Sequence, residues 1–408
     1  MALDPRQGLE FDEESDEQDV AEQLPSGSRA AVVSGTDWTT ETIVSQLKRG
    51  NIQLNPRFQR RDAWKRDRKS RFIESLIVGL PIPQIVLAES KQDRGKFIVL
   101  DGKQRLLAIL QFWGFGEGEN NAYALSGLTL RDDLRKRSFE DLSSDPTYEA
   151  DYNALCNQPI RTVVIRDWKD TNFLHTVFLR LNTGTVTLSP QELRQALLPG
   201  PFSDYIDEAA GQSASLRRLL GISEPDPRMR DIEILARFLA FRFFSATYPG
   251  RMKQFLDSTF EAFNSDWKAY EPRIEGAKVD FERGVDELLR VFKENVARKP
   301  GSAQFNRAIF DALIFFHSQE RVRSALRAKR ARVKSAYERL FSPRSGFLKA
   351  VESDTAGAPN TSARLRIWGE SLSRIAGEPF NAPKIPLASP GASRNERKGA
   401  SRTSSRRR

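Results

Sequence analysis

The sequence predicts an α+β protein: a small α/β N-terminal domain followed by a mostly α-helical C-terminal one. Three observations carry this. Strand-like and helical segments alternate up to about residue 200, almost every apolar pattern beyond it has a helical period, and 408 residues are ample for two cores.

Thr39 to Lys48 reads as a short amphipathic helix closed by Gly50. Asn55-Pro56-Arg57-Phe58-Gln59-Arg60-Arg61 then leads to a helix from about Asp67, with Phe72, Ile73, Leu76 and Ile77 on one face. Gly79 suits its C′ position, and Pro81 forbids continuation. Gln84 to Ala88 and Lys96 to Leu100 read as strands joined by a turn at Lys91 to Gly95. The second strand runs through Asp101-Gly102 straight into a helix that is apolar nearly all round, and so buried. A further strand is expected at Ile160 to Ile165, and Asn172 to Leu181 suits a helix. Ser189-Pro190-Gln191-Glu192 has the pattern of a capping box, with serine at the N-cap, proline at N1 and glutamate at N3. Later helices are expected at Ile232 to Phe244, Phe281 to Asn295, Phe305 to Phe316 and, long and basic, Gln319 to Phe341. These elements give four segments: 1–28, 29–200, 201–382 and 383–408. The first and last lack the apolar side chains to build a core and read as disordered, one acidic and one basic.

Charge is laid out unevenly. The chain carries +10 in total, but residues 1–28 carry −8 and residues 384–408 carry +7, which leaves +11 on the body between them. A basic body favours polyanionic partners, nucleic acid first. The single cysteine excludes an internal disulfide and fits a reducing, cytoplasmic setting. No apolar run nears the roughly 20 residues of a bilayer span, and the N-terminus lacks a signal-peptide pattern, so no membrane association is expected.

Asp101-Gly102-Lys103-Gln104-Arg105 is the first candidate site. A helix N-terminus offers unpaired N–H groups and partial positive charge, Gly102 permits close backbone approach, and Arg105 has a fork suited to phosphate. Asp101 could hold a divalent cation or orient Arg105 or a water. The alternative is a tight turn capped by Asp101, with Arg105 in a structural ion pair. The second candidate is the basic, aromatic-interleaved stretch 57–71, which holds eight cations including Arg61, Lys65 and Arg66 around Phe58 and Trp64. It suits phosphate contact and base stacking, or simply a solvated face. Arg180-Leu181-Asn182-Thr183-Gly184 reads as a connection between helices. No phosphate loop of the G-x-x-x-x-G-K-[ST] type occurs, and the two histidines, His175 and His317, lie in apolar helical stretches as packed residues do.

The spaced set N-P-R-F-Q-R-R (55–61), G-L-P-I-P (79–83), V-L-D-G-K-Q-R-L (99–106) and F-L-R-L-N-T-G…L-S-P-Q-E-L-R-Q-A (178–196) resembles the N-terminal domain of GmrSD-type restriction systems. The likeness implies a ParB/sulfiredoxin-like core whose Asp-Gly-Gln-Gln-Arg motif binds and hydrolyses NTP, with Mg²⁺. On that likeness Asp101, Gln104 and Arg105 would be catalytic, with Asp101 on the metal, while Gly102, Lys103, Arg57, Gln59, Arg60 and Asn182 would line the nucleotide pocket. Lys103 departs from the motif's glutamine. Fused members carry a histidine-bearing nuclease domain. With no such cluster here, cleavage would need a partner nuclease subunit, or the chain is a non-catalytic DNA-binding regulator, self-assembled or not. DNA contact is expected through Arg61, Lys65, Arg66, Arg323, Arg327, Arg330 and the basic tail.

Overall fold

The computed structural model describes residues 31–54, 64–91, 93–115, 122–168, 173–174, 177, 189–342 and 345–387. Both charged termini and the segments carrying Arg57, Gln59, Arg60, Arg61, His175 and Asn182 therefore lie outside the described residues. The chain divides into two compact units between Glu233 and Ile234. That boundary is later than the change in pattern near residue 200, because two further helices fold with the first unit.

The first unit is built on β1 (Val32–Thr39), α1 (Thr40–Lys48), β2 (Ile52–Gln53), α2 (Arg66–Val78), β3 (Ile85–Glu89), β4 (Phe97–Asp101) and α3 (Lys103–Phe112). It continues with α4 (Phe139–Ser144), α5 (Glu149–Asn157), β5 (Pro159–Arg166), α6 (Pro190–Leu197), α7 (Pro201–Gln212) and α8 (Ala214–Leu220). The strands form one mixed sheet in the order β1-β5-β3-β4-β2. β3 is antiparallel to β4 and parallel to β5, and β1 closes the outer edge antiparallel to β5 over its full length.

β3 shows how the sheet sits. All of Ile85 to Ala88 are buried, yet with a period of two Ile85 and Leu87 join one core while Val86 and Ala88 join another. The larger core holds Ile43 of α1, Phe72 and Ile73 of α2, and Leu106 and Ile109 of α3. The smaller one holds Leu100, Ile165, Trp168 and Leu193 of α6. Helices thus cover both faces, which is why a single Pro- and Gly-punctuated stretch had to supply strands that are apolar on both sides. Cys156 is buried in the larger core, and burial pushes its thiol pKa up. Glu74 of α2, 1% exposed, accepts hydrogen bonds from the backbone N–H groups of Thr129 (3.1 Å), Leu130 (2.7 Å) and Arg131 (2.7 Å). It thereby anchors the loop before α4. Burial works to raise its pKa, but those donors hold it below the usual carboxylate value.

The second unit is helical. Its elements are the rest of α9 (Arg230–Phe244), then α10 (Met252–Ser265), α11 (Trp267–Phe292), α12 (Arg307–His317), α13 (Glu320–Leu326), α14 (Arg330–Arg339), α15 (Phe347–Glu352) and α16 (Ala358–Ala376). α11 starts well before the amphipathic stretch at Phe281, because Pro272 lies on an exposed face early in the helix and does not end it. The basic segment 319–341 is two helices joined by a 3₁₀ turn at Arg327–Lys329; no glycine or proline marks the break. Fully buried Arg237 and Asp311 pair at 2.6 Å across α9 and α12. Among the described residues no helix is long and apolar enough to cross a membrane.

Candidate nucleotide site at the β4–α3 junction

Asp101 ends β4 opposite Val86, beside a register shift in β3, and Gly102 follows as the N-cap of α3 at φ +98°. A Cβ there would stand 3.0 Å from Ile85 Cγ1 and 3.4 Å from Arg105 Nη2 in a conformation side chains rarely adopt, so only glycine fits the turn. No side chain caps α3, which leaves its first N–H groups without a side-chain acceptor of that kind.

Arg105, 9% exposed, reaches back one turn. It donates through Nη2 to Asp101 Oδ2 at 2.7 Å and through Nη1 to the Pro83 carbonyl at 2.8 Å. The guanidinium is therefore held in place by the strand end and the loop before β3. About a quarter of the Asp101 side chain is exposed. Gln104 Oε1 accepts from the backbone N–H of Trp64 at 3.2 Å.

Lys103 turns inward and donates to Glu192 Oε1 at 3.1 Å, both side chains being nearly sealed from solvent. Glu192 is the N3 residue of α6, and the capping box read from the sequence is present. Ser189 Oγ accepts from the Glu192 N–H at 3.1 Å, and Glu192 Oε2 accepts from the Ser189 N–H at 2.7 Å. Arg228 Nε lies 3.7 Å from the same Oε2, and Ser189 Oγ donates to the Arg228 carbonyl at 2.7 Å. The N-termini of α3 and α6 are thus stitched together by one buried carboxylate. Asp101, Lys103, Arg105, Glu192 and Arg228 amount to three cations against two carboxylates, an excess of positive charge at a helix start, where an anion is favoured. Arg228 and the second role of Glu192 escaped the sequence reading. Partners 36 and 89 positions away along the chain leave no local signal.

Residues 40–199 match the family model of the GmrSD restriction endonuclease, N-terminal domain. No curated protein matches the chain. The GmrSD domain match points to a restriction-type defence context, and its limits enclose β2 to β5 together with the whole junction.

The cations expected to meet DNA are distributed unevenly. In the first unit, Lys65 is exposed at the N-cap of α2, and Arg66 is exposed but donates from Nε to the Ala124 carbonyl at 3.1 Å. In the second unit, buried Arg323 donates to the His317 carbonyl at 2.9 Å and to the Ser318 carbonyl, and pairs with Glu320 at 2.6 Å. Arg330 grips Glu287 with two hydrogen bonds, at 2.7 and 2.9 Å. Burial opposes the charge on Glu287, yet Arg330 and Arg290 hold its pKa below the usual value. Arg327 is exposed, as are Arg332, Lys334 and Arg339. His317 is buried against Trp368, its Nδ1 2.9 Å from the Leu313 carbonyl, as a packed histidine is. Among the described residues no group of three or more metal-binding side chains stands together.

Proposed function

We propose that the first unit binds a nucleoside triphosphate at the β4–α3 junction and hydrolyses it within a restriction-type defence protein. One observation carries the reading: described residues that border two of the other motif-bearing segments bond to the first turn of α3. Trp64, which directly follows residues 55–63, bonds Gln104, and Ser189, which directly follows residues 178–188, reaches Lys103 through Glu192. Gln59 and Arg60 stand five and four positions before Trp64 along the chain, and Asn182 seven before Ser189. Magnesium bound mainly by phosphate oxygens needs only one or two carboxylates, a demand that Asp101, whose second oxygen has no donor among the described residues, can meet. The metal supplies charge neutralisation at the phosphates. The chain's own part is to present the α3 N–H groups, Arg105 and the Gln59–Arg60 pair to them, and to orient a water at Asp101.

The test measures phosphate release from each of the four NTPs with Mg²⁺, with and without DNA. Asp101→Asn keeps an acceptor for Arg105 and removes the charge, so it should abolish turnover while leaving the melting temperature near that of the parent. Unchanged turnover in this variant sinks the catalytic assignment.

A second reading, contact with DNA, is supported by the exposed Arg327, Arg332, Lys334 and Arg339, for which no acidic partner occurs among the described residues. If these and the basic tail meet phosphates, 6–10 contacts would lower affinity by about 10³–10⁵-fold between 50 and 200 mM salt. A salt-insensitive band shift would refute it. A separate nuclease subunit fits either reading and is sought by co-purification.

A further inference from the structure

We infer that Glu192 positions the start of α9 according to whether the phosphate site is filled: one carboxylate held between two cations passes from Lys103 toward Arg228 when the anion arrives. The inference rests on the nucleotide reading above and adds the residue that relays its occupancy. Glu192 is 4% exposed and divides its two oxygens. Oε1 accepts from the Lys103 ammonium at 3.1 Å, whereas Oε2 accepts from the Ser189 N–H at 2.7 Å and stands 3.7 Å from Arg228 Nε. Lys103 is the first residue of α3, so phosphates gathered by the N–H groups of that turn attract its ammonium and compete with Glu192 for it. A buried carboxylate that loses part of one cation gains by closing on the other, because leaving it uncompensated is costly. What Arg228 adjoins is a strained turn. Met229, fully buried, has φ +57°, where residues other than glycine rarely sit. Bonds on either side keep it there. The Arg228 N–H and Arg230 Nε each reach the Asp226 carboxylate at 2.7 Å, and the Arg228 carbonyl accepts from Ser189 Oγ at 2.7 Å. Arg230 opens α9, whose continuation past Glu233 belongs to the second unit. Drawing the Arg228 side chain onto Glu192 adds a further restraint to this turn and steadies the start of α9.

The experiment uses the full chain with Mg²⁺ and the four NTPs carrying a non-hydrolysable β,γ-bridge. Calorimetry reads binding, and hydrogen–deuterium exchange read by mass spectrometry follows residues 226–233 at analogue concentrations that saturate each protein. Exchange across this turn in the wild type should slow by about 5- to 150-fold on binding, the usual span of coupling between two sites. Glu192→Gln keeps an acceptor for the Ser189 N–H and removes the charge that moves, so it should bind an analogue without slowing that exchange. Arg228→Gln, at a side chain one-third exposed, should do the same and serves where the first variant folds poorly. Wild-type protein that binds with no change at 226–233 overturns the relay and leaves the nucleotide site standing. Equal slowing in the wild type and both variants overturns it too, because occupancy then reaches α9 by another route. Wild-type protein that binds none of the analogues removes the nucleotide reading and the relay together.

Discussion

Replacing Lys103 by methionine removes the ammonium that faces Glu192 across 3.1 Å while filling nearly the same space. Both side chains are about 5% exposed, so the carboxylate left behind stays desolvated. Deleting one partner of a buried pair typically costs about 3–5 kcal/mol. Here Glu192 retains the Ser189 N–H at 2.7 Å and Arg228 at 3.7 Å, and the latter is one-third exposed and only partly compensates. The lower end of that range, about 3 kcal/mol, is therefore expected. Glu192→Gln alone leaves the ammonium buried and should cost about 2–3 kcal/mol, whereas the double variant removes both charges and should return to within about 1–2 kcal/mol of the parent. The assay is urea unfolding of the four proteins followed by circular dichroism, where about 3 kcal/mol moves the midpoint by about 1 M. A single variant within about 0.5 kcal/mol of the parent, or strictly additive losses in the double variant, would refute the view that one carboxylate ties α3 to α6. Lys103→Gln, which restores the glutamine of the family motif and retains a donor, should cost only about 1 kcal/mol.

Gly102→Ala should destabilise by about 2–4 kcal/mol, against about 1 kcal/mol for Gly50→Ala, since both have positive φ but only Gly102 meets Ile85 and Arg105. Equal midpoints in urea for the two variants would contradict this. Burial lowers the His317 pKa from its ordinary 6.5 to about 4, so the unfolded chain binds the extra proton between those values. Stability is then fully present above pH 6.5 and falls as pH drops toward 4, by about 2 kcal/mol at pH 5. His317→Asn, whose amide can still reach the Leu313 carbonyl, should flatten that slope, and an unchanged pH profile would sink the assignment. Glu74→Ala orphans three backbone donors and should cost about 3 kcal/mol or more at pH 7, and less in acid below the ordinary carboxylate range, where the parent's lowered carboxyl is itself being protonated. Thermal melts at neutral and acid pH check it.

Much of this was legible in the sequence because it is local. Gly79 stops α2 in the left-handed region, Ser189 and Glu192 close the capping box three residues apart, and β3, β4 and β5 lie within one or two residues of their expected positions. β1 was not legible. Its sequence Val-Val-Ser-Gly-Thr-Asp-Trp-Thr exposes both valines, and it is a strand only because β5, more than a hundred residues on, offers it a ladder. The site splits in the same way. The glycine turn, the helix start and the Asp101–Arg105 pair follow from spacing. Whether a cation is spent internally does not: Lys103, Arg323 and Arg330 look like solvent-facing charge in the sequence, and each is bound to carboxylates or carbonyls brought up by the fold.

The solitary thiol of Cys156 has a practical consequence. Packed in the larger core with its ionisation suppressed, it should be nearly inert to maleimides in the native state and reactive once that core opens. Its rate of alkylation is therefore a built-in clock for opening of the first unit, without any engineered reporter. The same inertness leaves the chemistry free for one added cysteine: a fluorophore attached at position 68, beside the indole, would be the sole label on the folded protein and would report on the surroundings of Trp64.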